Sequence, residues 1–172
     1  MTSRNQIDDL IASINEIDKI SDVSWMSTLN ERKRKELEFH DLDRDQSRVE
    51  QTQSSDTYEK FYGNKKYYIA TKRSNYFLKN WIKKEAPGKI FLDYACGNGG
   101  NAIFAANCGA ALSLGFDISG VSVKNAREAA KDSGNTELIR FFQADAENTK
   151  LPDNSIDIII CSGMLHHLDL SF

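Results

Sequence analysis

Short apolar runs alternate with helical stretches in the second half of the chain. The apolar runs cover residues 90–95, 111–117, 139–145 and 156–162, and helical spacing recurs over 100–107 and 121–131 between the first three. Strands that alternate with helices in this way are typical of βαβ units, whose strands lie parallel in one sheet covered by helices. The pattern therefore predicts an α/β fold, a three-layer αβα arrangement around a parallel sheet.

Helices are predicted in the first half of the chain. Within the first twenty residues, apolar side chains recur at helical spacing and predict an amphipathic helix with one buried face, formed by Ile7, Leu10, Ile11, Ile14 and Ile17. A second helical stretch, residues 29–42, is dense in charge, and the polar run 43–56 after it is predicted to be a loop. We interpret the charges of the second stretch as a solvated face.

Basic and aromatic residues are interleaved between residues 60 and 84. This segment holds eight Lys or Arg, no Asp or Glu, and seven aromatic residues, a mixture that can bind single-stranded nucleic acid. As a helix, however, it has an apolar face and an opposite basic face, formed respectively by Ala70, Phe77, Leu78 and Trp81 and by Lys72, Lys79 and Lys83. We therefore expect the apolar face to cover the sheet, and we do not expect nucleic acid as a partner.

Pro87 and Gly88 end this helical region and divide the chain. We expect an N-terminal helical extension over residues 1–88 and a core over residues 89–172. Tyr62, Tyr67 and Arg73 of the extension are candidates for contacting a ligand carboxylate.

Composition narrows the class of protein. A length of 172 residues suits one domain, and a formal net charge of −3 excludes a globally basic nucleic-acid binder. The three cysteines form an odd number without a Cys-x-x-Cys pair, which fits neither a disulfide framework nor a zinc site. We expect a protein of the reducing cytoplasm that has no metal, signal peptide or membrane span.

A glycine-rich turn follows the first strand, with the sequence Asp93-Tyr-Ala-Cys-Gly97-Asn-Gly99-Gly100. Glycines at such a turn let the backbone approach a ligand closely. The turn also fits the dinucleotide pattern G-x-G-x-x-A through Gly97, Gly99 and Ala102, so an NAD-dependent oxidoreductase remains an alternative.

Carboxylates at the ends of the first three strands separate the two interpretations. Asp93 lies within the first strand, where it would suit a cationic amino acid group. Asp117 and Asp145 end the second and third strands, at the same edge of the sheet as the glycine turn. Residues 90–123 contain no Lys or Arg, which suits a sulfonium ligand better than a pyrophosphate.

Four motifs in order resemble those of the class I S-adenosylmethionine-dependent methyltransferases, of the branch that includes many small-molecule methyltransferases. They are FLDYACGNGG, GFDIS, FFQADAENTKLP and SIDIIICSGMLHHL, and the resemblance covers residues 89–168. It implies a Rossmann-like fold, S-adenosyl-L-methionine as the cofactor, and methyl transfer to an O, N or C acceptor, with a small molecule as the expected substrate. A cofactor-binding module without turnover is an alternative from another class.

The resemblance also implies roles for individual residues. The methionine part of the cofactor would be surrounded by Asp93, Ala95, Gly97 and Gly99, with Ala95 at a position where the family more often has glycine. The ribose would be bound by Asp117, and the adenine would be contacted by Ile118, Asp145 and Ala146. The methyl end would be lined by residues Cys161 to Met164. His166 or His167 is placed to act as a base, although a packing and loop-shaping role is the preferred interpretation of the pair.

The family fold continues through three more strands after its fourth, so the resemblance implies a partial core in which the C-terminal strands are missing. The apolar strand at residues 156–162 would then form an uncovered edge. We expect either that the chain is a piece of a longer protein or that this edge pairs with a partner chain or with a second copy.

Overall fold

The computed structural model describes residues 4–20, 23–44 and 65–169, and all structural statements refer to these ranges. Three helices come first: α1 (Arg4–Ile20), α2 (Val23–Thr28) and α3 (Glu31–Arg44). A long helix, α4 (Lys65–Glu85), precedes the alternating part of the chain. That part consists of β1 (Ile90–Tyr94), α5 (Gly100–Asn107), β2 (Leu112–Asp117), α6 (Gly120–Lys131), β3 (Ile139–Gln143) and β4 (Ile158–Cys161). Single 3₁₀ turns span Thr136–Leu138 and Leu165–His167.

The four strands form one parallel sheet in the order β3-β2-β1-β4. The predicted α/β Rossmann-like fold is therefore confirmed, and each predicted strand lies within two residues of its observed bounds at either end. Asp93 of β1 is in register with Gly115 of β2 and Ile160 of β4. Because the strands are parallel, their carboxyl ends and the loops that follow meet at one edge of the sheet, which we call the carboxyl edge.

Helices cover both faces of the sheet. On one face α1 buries Leu10, Ile14 and Ile17 against residues of β1, β2 and β3, including Leu114 and Phe142, so the predicted amphipathic helix packs on the sheet. The other face is covered by α4, α5 and α6. The three-layer arrangement thus excludes water from the strands that position the carboxyl edge.

The helix α4 covers the sheet as predicted, but its predicted orientation is wrong in part. Phe77 is 70% exposed and Trp81 is 36% exposed, whereas Leu78 and Ile82 pack toward β1. Lys79, predicted to lie on the solvent face, packs its ammonium 4.4 Å from the centroid of the Phe104 ring. Lysine can do this because its aliphatic stem packs against apolar surface while its charge interacts with a ring. Among the other residues assigned to this segment, Arg73 is exposed, whereas Tyr62 and the side chains of Ala70, Lys72 and Tyr67 lie outside the described residues.

The solvated face predicted for the charged stretch 29–42 is also wrong in part. The corresponding helix, α3, lies across the carboxyl edge, and Lys33 on it is only 14% exposed. The loop predicted for residues 43–56 falls almost entirely within residues 45–64, which lie outside the described residues.

The strand β4 forms one edge of the sheet and pairs only with β1 within the described ranges. Its outward side chain Ile159 is 56% exposed, as expected for an uncovered apolar edge. No helix in the described part of the chain is long and apolar enough to cross a membrane.

Candidate functional site

The glycine turn after β1 depends on left-handed backbone conformations. Gly97 and Gly99 have φ of 53° and 77°. A Cβ added at Gly99 would lie 2.4 Å from Cζ of Phe141 and 2.9 Å from Cβ of Ala126, so that position needs glycine for packing as well as for conformation. Ala95 also has a positive φ, 57°, which explains in physical terms why glycine would be favoured there.

Asp93 is a buried carboxylate with an unsatisfied oxygen. Its residue is 3% exposed, its Oδ1 accepts a long hydrogen bond of 3.4 Å from Nδ2 of Asn101, and its Oδ2 has no hydrogen-bond partner among the described residues. Burial raises the pKa of Asp93 from 3.8 to about 6, against the opposing effect of Asn101 and nearby backbone amides. A cationic group placed at this carboxylate would supply the missing partner.

Asp117 at the end of β2 is held in one orientation by backbone donors. Its Oδ2 accepts from the Gly97 amide at 2.8 Å and its Oδ1 from the Ser119 amide at 3.0 Å. The Ser119 hydroxyl in turn caps α6 by accepting from the Ser122 amide at 3.0 Å. Each carboxylate oxygen keeps one lone-pair direction for a ligand hydroxyl.

The turn after β3 presents Asp145 and Ala146. Oδ1 of Asp145 accepts from the Glu147 amide at 2.9 Å, and the Tyr94 hydroxyl donates to the Ala146 carbonyl. Burial raises the pKa of the Tyr94 phenol, so this hydroxyl remains a donor at neutral pH. Tyr94 thus ties the turn to β1.

Cations reach the carboxyl edge from α3, so the lack of Lys and Arg in residues 90–123 does not leave the site without basic residues. Nζ of Lys33 lies 2.6 Å from Oδ2 of Asp145 and 2.7 Å from Oε2 of Glu147, and Arg32 also pairs with Glu147. Burial alone would raise the pKa of Glu147. Hydrogen bonds from the Asp169 amide, Lys33 and Arg32 outweigh burial and hold it at about 2.

On its other side, α3 is fixed to the start of α6. Oδ1 of Asp41 accepts from the Ser119 hydroxyl at 2.6 Å and from the Val121 amide at 3.4 Å. Lys33 therefore attaches α3 to the turn after β3, and Asp41 attaches it to the start of α6.

A cavity of about 140 Å³ lies under α3 at the carboxyl edge. Five of the residues predicted to bind cofactor line it: Ala95, Asp117, Ile118, Asp145 and Ala146. Asp93, Gly97, Gly99 and Cys161 lie at the same edge without lining this cavity. Burial raises the pKa of the Cys161 thiol, with a further contribution from the Asp93 charge.

A larger cavity of about 400 Å³ lies at the opposite edge of the sheet, near Ile90, Asp9 and Asp157. It has no glycine turn, and its carboxylates do not lie at the carboxyl ends of strands. Ligands of doubly wound sheets bind at the carboxyl ends of the strands. Chemistry rather than volume therefore identifies the smaller cavity as the candidate site.

The structure separates the two adjacent histidines. His167 lines the carboxyl-edge cavity, whereas His166 is exposed and does not line it. Among the described residues no group of three or more His, Cys, Asp or Glu side chains is arranged to hold a metal ion.

Several residues at this edge were not predicted from the sequence. They are Glu36 and His40, which also line the cavity, together with Lys33, Asp41, Tyr94 and Asn101. The charge density of residues 29–42 was a signal for the α3 residues, but it is equally typical of a solvated helix.

Part of the chain is similar to known methyltransferases. Residues 91–171 match the family model described as a methyltransferase domain. Curated relatives include the ribosomal protein L11 methyltransferases of Burkholderia cenocepacia, 33% identical over 91 residues, and of Yersinia pseudotuberculosis, 31% identical over 83 residues. These alignments cover 52% and 48% of this chain, and the chain spans only 28% of the length of either relative.

Similar solved structures include two methyltransferases in complex with S-adenosyl-L-homocysteine. One is an RNA methyltransferase from Salinibacter ruber, with 27% identity, a TM-score of 0.38, and coverage of 41% of this chain and 48% of that one. The other is a methyltransferase from Thiobacillus denitrificans, with 22% identity, a TM-score of 0.46, and coverage of 54% and 37%.

Residues 91–171 match a methyltransferase domain, and their parallel sheet has the Rossmann-like arrangement of the class I S-adenosylmethionine-dependent methyltransferases. The resemblance that the four motifs carry is thereby confirmed. The cofactor of such a domain is S-adenosyl-L-methionine.

Proposed function

We propose that the chain provides the cofactor-binding core of an S-adenosyl-L-methionine-dependent methyltransferase that transfers a methyl group to an O, N or C atom of a small molecule. The observation that carries the proposal is the buried carboxylate of Asp93, whose Oδ2 has no partner in the described structure. It lies beside a turn that also presents the fixed carboxylate of Asp117. This is the arrangement expected for a ligand that has an amino acid group at one end and a ribose further along.

The residues at the carboxyl edge fit the parts of this cofactor. Asp93 would bind the α-amino group, and Asp117 would accept from the ribose hydroxyls. Asp145 would accept from the adenine amine, with Ile118 and Ala146 against the ring. When bound, the cofactor supplies an electrophilic methyl group for in-line displacement, and the chain's work is to align the acceptor and exclude water.

Asp93 also argues against a dinucleotide. A pyrophosphate bound at the glycine turn would lie near this buried carboxylate, and like charges in a poorly solvated place repel strongly. We therefore favour the methyltransferase over the NAD-dependent oxidoreductase that the glycine pattern alone allows.

The covering helix α3 supports a small acceptor. With Lys33 and Asp41 bonded as they are, the cavity of about 140 Å³ is smaller than the roughly 300–1,000 Å³ typical of small-molecule sites. The side chain of Lys33 must therefore release Asp145 to the adenine when the cofactor binds. An acceptor that enters this cavity whole must be small. The curated relatives are named for a protein acceptor, ribosomal protein L11, and we do not assign that acceptor to this chain.

We also propose the cytoplasm as the location, since all three cysteines are free thiols.

Calorimetry tests the proposal. S-adenosyl-L-homocysteine should bind the wild-type protein, and NAD should not. Asp117→Ala should weaken binding by about 1.5–3 kcal/mol, the usual cost of losing a charge-assisted hydrogen bond. Asp132→Ala, at an exposed aspartate at the end of α6, is the matched control and should bind as the wild type does.

Unchanged affinity in a folded Asp117→Ala variant would remove Asp117 from the site. Turnover of S-adenosyl-L-methionine with a panel of small alcohols, phenols and amines then separates an enzyme from a binding module.

A further inference from the structure

Glu36 and His40 from α3 meet His167 in the wall of the carboxyl-edge cavity. Nδ1 of His167 lies 3.1 Å from Oε2 of Glu36, and Nε2 of His40 lies 3.6 Å from the same oxygen. The centroids of the two imidazole rings are 5.9 Å apart, with the rings edge to face. One carboxylate oxygen thus lies between two imidazoles that come from distant parts of the chain.

The cluster of Glu36, His40 and His167 contains a buried nitrogen that can still form a hydrogen bond. Nδ1 of His40 is buried and has no hydrogen-bond partner within the described ranges. The side chain of His167 is 35% exposed and that of Glu36 is 29% exposed, so a ligand in the cavity can reach them. A polar ligand or acceptor is the natural partner for such a group.

Attachment of α3 does not require Glu36. Arg32 donates to the His167 carbonyl and pairs with Glu147, Lys33 binds Asp145, and Asp41 binds Ser119. These contacts already hold α3 at the turn after β3 and at the start of α6. Glu36 is therefore free for a role directed at the imidazole.

We propose that Glu36 positions His167 as the proton acceptor for the methyl acceptor, and that the substrate is therefore protic, a hydroxyl or an amine. The inference rests on the proposed methyltransferase function. A carboxylate at Nδ1 of an imidazole favours the tautomer that has its proton on Nδ1, which leaves Nε2 free to accept a proton.

The transfer balances in a single step. A lone pair of the acceptor oxygen or nitrogen forms the new bond to the methyl carbon, and the carbon–sulfur bond breaks with its electron pair going to sulfur. The acceptor's proton passes to Nε2 of His167. The Glu36 carboxylate stabilises the resulting imidazolium. Two further imidazoles face it, those of His40 and His166, and the ring centroid of His166 lies 3.9 Å from that of His167.

The tautomer of His167 is the direct test of the positioning role. The chain has three histidines, so long-range ¹H–¹⁵N spectra of the labelled protein show three imidazoles, which single His→Gln variants assign. We expect neutral His167 to carry its proton on Nδ1. Glu36→Met, which removes the acceptor, should shift it toward the Nε2–H form, and Glu36→Gln, which keeps an acceptor oxygen, should preserve it.

Turnover and binding provide the second readout. With the protic acceptor that gives the most S-adenosyl-L-homocysteine in a panel of phenols, alcohols and amines, Glu36→Met should lower kcat about tenfold or more and leave KM within about twofold. Affinity for S-adenosyl-L-homocysteine should not change. Glu38→Met, on the exposed side of the same helix, is the matched control and should leave both readouts at wild-type values.

An unchanged His167 tautomer in Glu36→Met overturns the positioning role, as does an equal effect of Glu36→Met and Glu38→Met on kcat. If the wild-type protein binds no S-adenosyl-L-homocysteine, the proposed function fails and the base role with it. If it binds but Glu36→Met leaves the tautomer unchanged, only the present inference fails.

Discussion

Replacing Asp93 by asparagine should stabilise the free protein and impair its binding site. Burial raises the pKa of Asp93 from 3.8 to about 6, so the folded state holds this proton more tightly than the unfolded state. The favourable contribution of protonated Asp93 is fully present below pH 3.8 and is lost as the pH rises through 6. Two pKa units correspond to about 3 kcal/mol, so Asp93→Asn should raise the free energy of unfolding by about 2–3 kcal/mol at pH 7.

The same variant should gain only about 0.5 kcal/mol at pH 4, where most of the penalty is absent in the wild type. Thermal melts at the two pH values measure this difference, which corresponds to a rise of about 5–10 °C in Tm at pH 7. Calorimetry should show affinity for S-adenosyl-L-homocysteine reduced about 10- to 100-fold, because the amino group loses its carboxylate.

Asp132→Asn, at an exposed position, is the control and should change neither property. An equal gain for Asp93→Asn at pH 4 and pH 7 would refute the burial argument. Unchanged affinity would refute the assignment of Asp93 to the amino group.

Three further predictions concern the backbone and the sheet edge. Gly99→Ala should destabilise the fold by about 3 kcal/mol or more, and Gly88→Ala by only about 1 kcal/mol. Both glycines have a positive φ, but only Gly99 is also closely packed. Equal losses of stability in denaturant melts would contradict this. Ala95→Gly should raise the free energy of unfolding by about 0.5–1 kcal/mol, since it relieves a left-handed alanine; a lower Tm would show that the strain is absent. Ile159→Lys should reduce self-association in sedimentation velocity runs, because it charges the exposed side chain of β4; an unchanged distribution would remove this edge as the contact.

The sheet and the glycine turn could be predicted because their signals are local. A buried parallel strand requires a continuous apolar run, and the turn after β1 requires small residues at fixed positions. The predicted ends differ from the observed ones by at most two residues, since apolar residues such as Ile156 continue beyond the paired backbone.

The positions of α3 and α4 could not be predicted for a physical reason. In the sequence, Lys33 and Lys79 cannot be distinguished from lysines on a solvent-exposed face. Only tertiary contacts show that Lys33 pairs with Asp145 and that Lys79 packs on Phe104. Asn101 was equally hidden, because its link to Asp93 spans eight residues across the glycine turn.

The catalytic candidates show the same limit. His166 and His167 are equivalent in the sequence, and only the placement of α3 distinguishes them, since it sets Glu36 beside His167 and not beside His166. The sequence could identify the pair as a candidate base but not which member faces the cavity.

A titration of the ¹⁵N-labelled protein with S-adenosyl-L-homocysteine tests the central claim most directly, because its amide shifts show where the ligand binds. The account predicts saturable changes at the carboxyl edge, largest at Gly97, Ser119 and Ala146, whose amides flank the strand-end carboxylates. Changes confined to Gln6 and Ser155, which line the larger cavity at the opposite edge, or the absence of any change, would contradict it.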